Sequence, residues 1–308
     1  MGGVTEPALR FLHYAALLGL FGCTTYHLIG LRGQTWVLQD RGCNALIVAA
    51  FAAPLVSLAL MVASIAAMMG VPITALDWPM TEAMVVGTDI GKSFLVRAAL
   101  LIIGLCAILA RRRTMAALPI AAACFAGALI TLGWSGHAAA TEGAFGIFHR
   151  LNNGVHLLAA GLWLGAIGWF LRLTVAARSK RNNIPAQPLL AAMHGFAPLG
   201  VGLVATVAFT GLINSHLTFG LENSATVLTT SYGILLAAKV ILVGGMLAFG
   251  AHNARISRRN ALNEDDEIAD TAIKLSALRR SLMGEFGLAI GVIVLIAVLG
   301  MLSPLIER

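Results

Sequence analysis

The sequence predicts an all-α polytopic membrane protein with eight transmembrane helices. Of its 308 residues, 58% are hydrophobic and only 11% are charged, a balance that ordinary soluble domains do not have. The apolar residues form continuous runs of about 20 residues, the length that crosses a bilayer as a helix. These runs do not alternate in polarity as the strands of a membrane barrel do. We therefore expect helices, with the lipid bilayer as the main partner of the surface.

Four membrane spans are predicted in the first half of the chain, over about residues 8–31, 44–69, 93–110 and 115–136. A polar connection, residues 70–92, separates the second span from the third. Asp77 in this connection can cap a short helix that carries Met80 and Met84 on one face.

Four further spans are predicted in the second half, over about residues 148–170, 189–215, 232–251 and 282–302. Residues 263–282 place acidic side chains first and basic ones last, with an apolar stripe between them. This order predicts an amphipathic cytoplasmic helix that leads into the eighth span.

The positions of the basic residues predict the orientation of the chain. Most of the 21 Lys and Arg residues lie in short loops on one side of the eight spans, which by the positive-inside rule is the cytoplasm. Both termini then face the periplasm or the exterior. The same placement explains the net charge of +7 without a nucleic-acid partner.

An internal repeat is visible in the sequence. Three pairs of matching positions are separated by 143, 144 and 142 residues, in chain order: His13 and His156, Pro54 and Pro198, Thr88 and Thr230. Two tandem four-helix repeats, residues 1–140 and 141–308, are therefore predicted, related by an axis along the membrane normal. Arg97 and Lys239 form a further matching pair within the spans.

The fifth span carries a polar stripe. His149, Asn152 and His156 occupy positions i, i+3 and i+7, and Trp163 extends the same helical face by two turns. Polar groups in hydrocarbon are expensive, so this stripe should face a partner helix, an ion or a water-filled path.

Histidines and methionines form the candidate metal site. With the predicted topology, five histidines lie on the outer half of the protein, together with Met80 and Met84: His13, His137, His149, His156 and His216. Neutral imidazole binds copper, zinc, iron and nickel, whereas thioether selects Cu(I). We expect copper, as Cu(I) rather than Cu(II), with outer residues that capture the ion and a shared site of His13 and His156 between the repeats.

Two alternatives stay open at this point. Histidines on facing helices can also ligate haem iron, so a membrane cytochrome with haem b would use the same residues. A protein that recruits a periplasmic partner and conducts nothing is the third interpretation. The sequence contains no phosphate loop, nucleophile elbow or H-E-x-x-H motif, and we do not expect an enzyme.

Several stretches of the sequence resemble the copper resistance protein D family (CopD) of bacterial inner-membrane proteins: Gly136 to Ala139, His156 to Gly165, Tyr232 to Lys239, Asn253 to Arg255 and Leu278 to Glu285. The stretch from His156 through Trp163 to Gly165 is the most specific. The resemblance implies eight spans and a role in copper handling. It also implies passage of copper across the inner membrane in concert with a periplasmic copper-binding protein.

Overall fold

The computed structural model describes residues 5–31, 44–111, 114–177, 186–261 and 268–304. Within these ranges the protein is all-helical and has no strands. The ten α-helices of the described residues are α1 (Thr5–Ile29), α2 (Asn44–Met69), α3 (Trp78–Gly87), α4 (Asp89–Ala110), α5 (Ala117–Ile130), α6 (Gly143–Ala176), α7 (Ala186–Phe219), α8 (Ser224–Val227), α9 (Ser231–Ala261) and α10 (Ile268–Leu299).

Seven of these helices are long and apolar enough to cross a membrane, namely α2, α4, α5 with the 3₁₀ turn that follows it, α6, α7, α9 and α10. The first predicted span corresponds to α1, which has 25 residues but is not one of the seven. It carries Glu6, Arg10 and His13 among its apolar residues. The all-helical membrane fold is thus confirmed, and the count of eight spans stays a prediction.

Several helices extend beyond the predicted spans. α6 has 34 residues, and α10 has 32. The predicted amphipathic helix and the eighth span are one continuous helix from Ile268 onward, because no glycine or proline separates them. Hydropathy marks the part of a helix that meets lipid, whereas the helix itself continues into water.

Three helices begin at side-chain caps, and the sequence predicts the first of these caps. Asp77 caps α3, and its side chain accepts a hydrogen bond from the backbone N–H of Met80 at 3.1 Å. The hydroxyl of Thr88 accepts from the N–H of Gly91 at 3.0 Å at the start of α4. Thr230 repeats this arrangement at the start of α9, where its hydroxyl accepts from the N–H of Gly233 at 3.1 Å.

Helix α1 joins the two halves of the structure. It packs on α2 and α5 of the first half and on α6 and α10 of the second. At the crossing with α6, a Cβ atom on Gly22 would overlap the carbonyl oxygen of Gly161, and one on Gly165 would overlap the backbone of Gly22. The two backbones therefore touch, as small residues allow in membrane helices.

Candidate functional site

The polar stripe of α6 faces protein. His149, Asn152 and Trp163 are buried, and His156 is half-buried. Asn152 donates from Nδ2 to the carbonyl oxygen of Thr210 at 2.9 Å and to Oδ1 of Asn214 at 2.8 Å, both on α7. The expectation that the stripe meets a partner helix is confirmed.

His156 is held in one tautomer by α7. Its Nδ1 lies 3.0 Å from Oγ1 of Thr210, and that hydroxyl donates its own hydrogen to the carbonyl oxygen of Thr206 at 2.6 Å. The hydroxyl must therefore accept from His156, so Nδ1 carries the proton and Nε2 keeps its lone pair. The backbone of Val207 on the same helix also hydrogen-bonds the ring. A neutral imidazole fixed in this way is ready to ligate a metal ion.

His13 has a different partner. It is 1% exposed, and its Nε2 lies 3.4 Å from Nη1 of Arg97 on α4. A guanidinium only donates, so Nε2 accepts and the proton sits on Nδ1. Nδ1 is buried and has no hydrogen-bond partner among the described residues.

The cationic side chains of the two halves are placed alike. His13, Arg97 and Lys239 each lie eight residues after the first residue of their helices, Thr5, Asp89 and Ser231. As Arg97 adjoins His13, so Lys239 lies close enough to His156 for its charge to act on the imidazole. The sequence pairs Arg97 with Lys239, but it does not reveal that Arg97 contacts a histidine.

A cavity of about 350 Å³ opens beside His13. Its wall includes Arg97 and Tyr14, and Glu6 and Arg10 lie at its edge near the start of α1. Met68 of α2 also lines it. A thioether and an imidazole thus share one cavity, although the methionine is not one of the two on α3.

The other predicted ligands are dispersed. His149 lies 2.9 Å through Nδ1 from the hydroxyl of Thr141. His216 is exposed at the end of α7, Met80 is exposed and Met84 is half-buried. The side chain of His137 lies outside the described residues. Within the part of the chain that the structure describes, no three His, Cys, Asp or Glu side chains come together as a metal site.

The side chains of His13 and His156 also have partners on different helices. His13 contacts α4, whereas His156 contacts α7. The shared site between them therefore stays a prediction, and it requires His13 to release Arg97.

A second buried cluster surrounds Glu285 on α10, which is 2% exposed. Trp163 donates to one carboxylate oxygen at 3.3 Å, and Asn253 of α9 donates to the other at 2.9 Å. Oδ1 of Asn253 and the hydroxyl of Ser281 have no partner among the described residues. Lys239 and Glu285, both among the described residues, do not form an ion pair.

Sequence reasoning missed the threonines that organise these sites. Thr131 binds Arg97, and Thr210 binds His156. A signal for the second exists, because Thr206, Thr210 and Asn214 recur every four residues and so form a polar stripe on an apolar helix.

Comparison with known proteins places these features in a family. The family model for the N-terminal domain of copper resistance protein D-like proteins matches residues 1–147, and that for copper resistance protein D matches residues 190–299. Copper resistance protein D of Pseudomonas syringae pv. tomato is 32% identical to this chain, over 97% of each protein. Inner membrane protein YebZ of Escherichia coli (strain K12) is 26% identical, over 97% of this chain and 98% of YebZ. No solved structure matches.

Both relatives extend over nearly the full chain, and the two family models together cover both halves of it. The apolar helices and the likeness to YebZ support a multi-pass protein of the inner membrane. The chain belongs to the copper resistance protein D family.

Proposed function

We propose that this protein carries copper across the bacterial inner membrane and is not an enzyme. The observation that carries the proposal is His156, a half-buried imidazole that α7 holds through the hydroxyl of Thr210, 3.0 Å from Nδ1, and through the backbone of Val207. Family membership supplies the metal. In this proposal the lone pair on Nε2 receives the ion in the outer half of the membrane.

The proposed topology has eight spans, with α1 as the first, and both termini in the periplasm. Two features support two tandem repeats. Thr88 and Thr230 begin α4 and α9 with the same cap, and the matched glycines Gly22 and Gly165 meet at the crossing of α1 and α6.

Cu(I) is the proposed substrate. Neutral imidazole and thioether are ligands that Cu(I) accepts at low coordination number, and Met68 shares a cavity with His13. In this proposal, five outer residues capture copper from a periplasmic copper-binding protein: His137, His149, His216, Met80 and Met84. Because the proposed site at His156 contains no carboxylate, it would hold Cu(I) weakly enough to release it.

The shared site of His13 and His156 is proposed as a transient state. In the described arrangement, Nε2 of His13 accepts from Arg97, so His13 can reach the ion only when that contact opens. His156 then holds copper first, and His13 completes a two-coordinate site.

The test is copper accumulation in cells that express His13→Ala, His156→Ala or the double variant at equal levels. His156→Ala should lose nearly all transport, and a shared site requires that His13→Ala loses as much and the double variant no more. The exposed His252 provides a control, because His252→Ala should leave accumulation unchanged. Normal accumulation with His156→Ala would overturn the proposal, and partial, additive losses would replace the shared site by two separate ones.

Thr210→Val tests the role of the tautomer. Valine keeps the shape of threonine but cannot accept from Nδ1 of His156, so the imidazole should lose its fixed orientation. Loss of such an outer contact typically costs about 10–100-fold in metal affinity or activity. Copper transport measured against concentration should shift accordingly. Thr206→Val is the matched control, because the Thr206 hydroxyl bonds only within α7, to the carbonyl oxygen of Gly202.

Haem b is the alternative cofactor, and the same histidines would ligate its iron. Two axial imidazoles must face one iron, whereas His13 and His156 contact different helices. An absorption spectrum of the purified protein decides the matter, since haem gives a Soret band and Cu(I) does not.

A further inference from the structure

Arg97 carries a buried charge without a counter-ion. Its side chain is 0% exposed, and none of the described acidic residues pairs with it. Nε donates to the hydroxyl of Thr131 at 2.8 Å, Nη2 donates to the carbonyl oxygen of Thr131 at 3.0 Å, and Nη1 faces His13. The ring of Phe94 lies 4.6 Å from the guanidinium carbon. These partners are all neutral, and a charge within a membrane protein ordinarily has an ionic partner or a water-filled path.

Hydrogen-bond donors are in excess around this charge. A guanidinium has five N–H groups, and three have partners among the described residues. The N–H at Nδ1 of His13, fixed by the contact with Arg97, is a further buried donor without a partner. Unpaired buried donors are costly, and here they share one neighbourhood with a positive charge.

The cavity of about 350 Å³ adjoins these donors. Both Arg97 and His13 line it, and so do the hydroxyl-bearing residues Tyr14, Ser64 and Ser135. Arg10 at the edge is already paired with Glu6 at 2.9 Å, so these two charges cancel. The net charge of the lining is therefore that of Arg97.

We propose that this cavity binds an oxyanion, a carboxylate or phosphate group, which Arg97 neutralises and the N–H of His13 orients. Guanidinium groups match the oxygens of carboxylates and phosphates better than other anions. The group comes either from a small free anion or from the headgroup of an anionic lipid in the outer leaflet, because the cavity opens near the start of α1. The anion would share His13 and its cavity with the proposed copper site, so the experiment tests anion binding without copper.

The experiment measures thermal unfolding of the full-length protein in a zwitterionic detergent without copper. Inorganic phosphate and formate are the free probes, at constant ionic strength, and phosphatidylglycerol added to the micelles is the lipid probe. An anion that binds the folded state at ten times its dissociation constant should raise the melting temperature by about 2 °C. A rise with the free probes identifies a free anion. A rise with phosphatidylglycerol alone identifies the headgroup.

Arg97→Met should abolish the rise, because it removes the charge and keeps much of the volume. Lys239→Met is the matched control, since it removes the corresponding cation of the second half and should leave the rise intact. Should Arg97→Met not fold, Ala67→Phe tests the same point, because it fills the cavity from α2 and leaves Arg97 itself in place. The proposal is overturned if no probe stabilises the wild-type protein, or if the cavity variants respond as the wild type does.

Discussion

Gly22→Ala should destabilise the protein by about 2–3 kcal/mol or more, the cost of inserting a group into a packed interface that cannot relax. The new Cβ would overlap the carbonyl oxygen of Gly161 and approach the backbone of Gly165. Both obstacles are main-chain atoms of α6, which cannot rotate away as a side chain can. The helices would have to separate, and their contacts along the whole crossing would weaken.

Gly19→Ala is the matched control on the same helix. A Cβ at Gly19 meets no atom within 4 Å, so this change should stabilise α1 by about 0.5–1 kcal/mol through reduced backbone freedom. Unfolding of the two purified variants in the same detergent gives both values. Equal stabilities would show that α1 and α6 do not make backbone contact at Gly22.

Asn253→Leu should cost about 2–4 kcal/mol. It removes the 2.9 Å hydrogen bond to Glu285 and leaves one oxygen of a buried carboxyl group without its donor. Loss of one partner exposes the full desolvation cost of the other. Trp163→Phe removes the longer bond of 3.3 Å to the same group, and its effect should be smaller.

A double-mutant cycle separates this interaction from general loss of packing. The variant Asn253→Leu with Glu285→Leu removes both partners of their hydrogen bond and leaves the N–H of Trp163 unpaired, as Glu285→Leu alone does. It should therefore lose less stability than the two single changes added together. The measurement is the free energy of unfolding of all four proteins. Strict additivity would mean that the hydrogen bond contributes little, and that Asn253 and Glu285 act separately.

The sequence predicted the elements better than the directions of their side chains. Continuous apolar runs located α2, α4, α6, α7 and α9, and Asp77 correctly indicated the cap of α3. Helix ends were less accurate because hydropathy reports the lipid boundary. The first predicted span, α1, is not among the seven helices that are apolar enough to cross a membrane, so it stays a prediction.

The candidate site shows the same limit. Periodicity along α6 correctly indicated that His149, Asn152 and His156 share a buried face. It could not show that His13 meets Arg97, because that contact joins residues 84 positions apart on helices whose relative rotation is set by packing. Nor could it show that Thr210 fixes His156, since a threonine within an apolar helix is equally consistent with a bond to its own backbone.

The backbone contact at Gly22 and Gly165 also limits how the two halves can move. Helices whose main chains touch at one place can pivot there. They cannot slide along each other, because sliding would bring larger residues into the contact. His13 and His156 each lie nine residues from this pivot, a lever arm of about 13 Å at 1.5 Å per residue. A rocking motion of about 10° would displace each histidine by roughly 2 Å on that lever. This is enough to change the separation of His13 and His156, whereas the contact of His13 with Arg97 lies within the first half and moves with it.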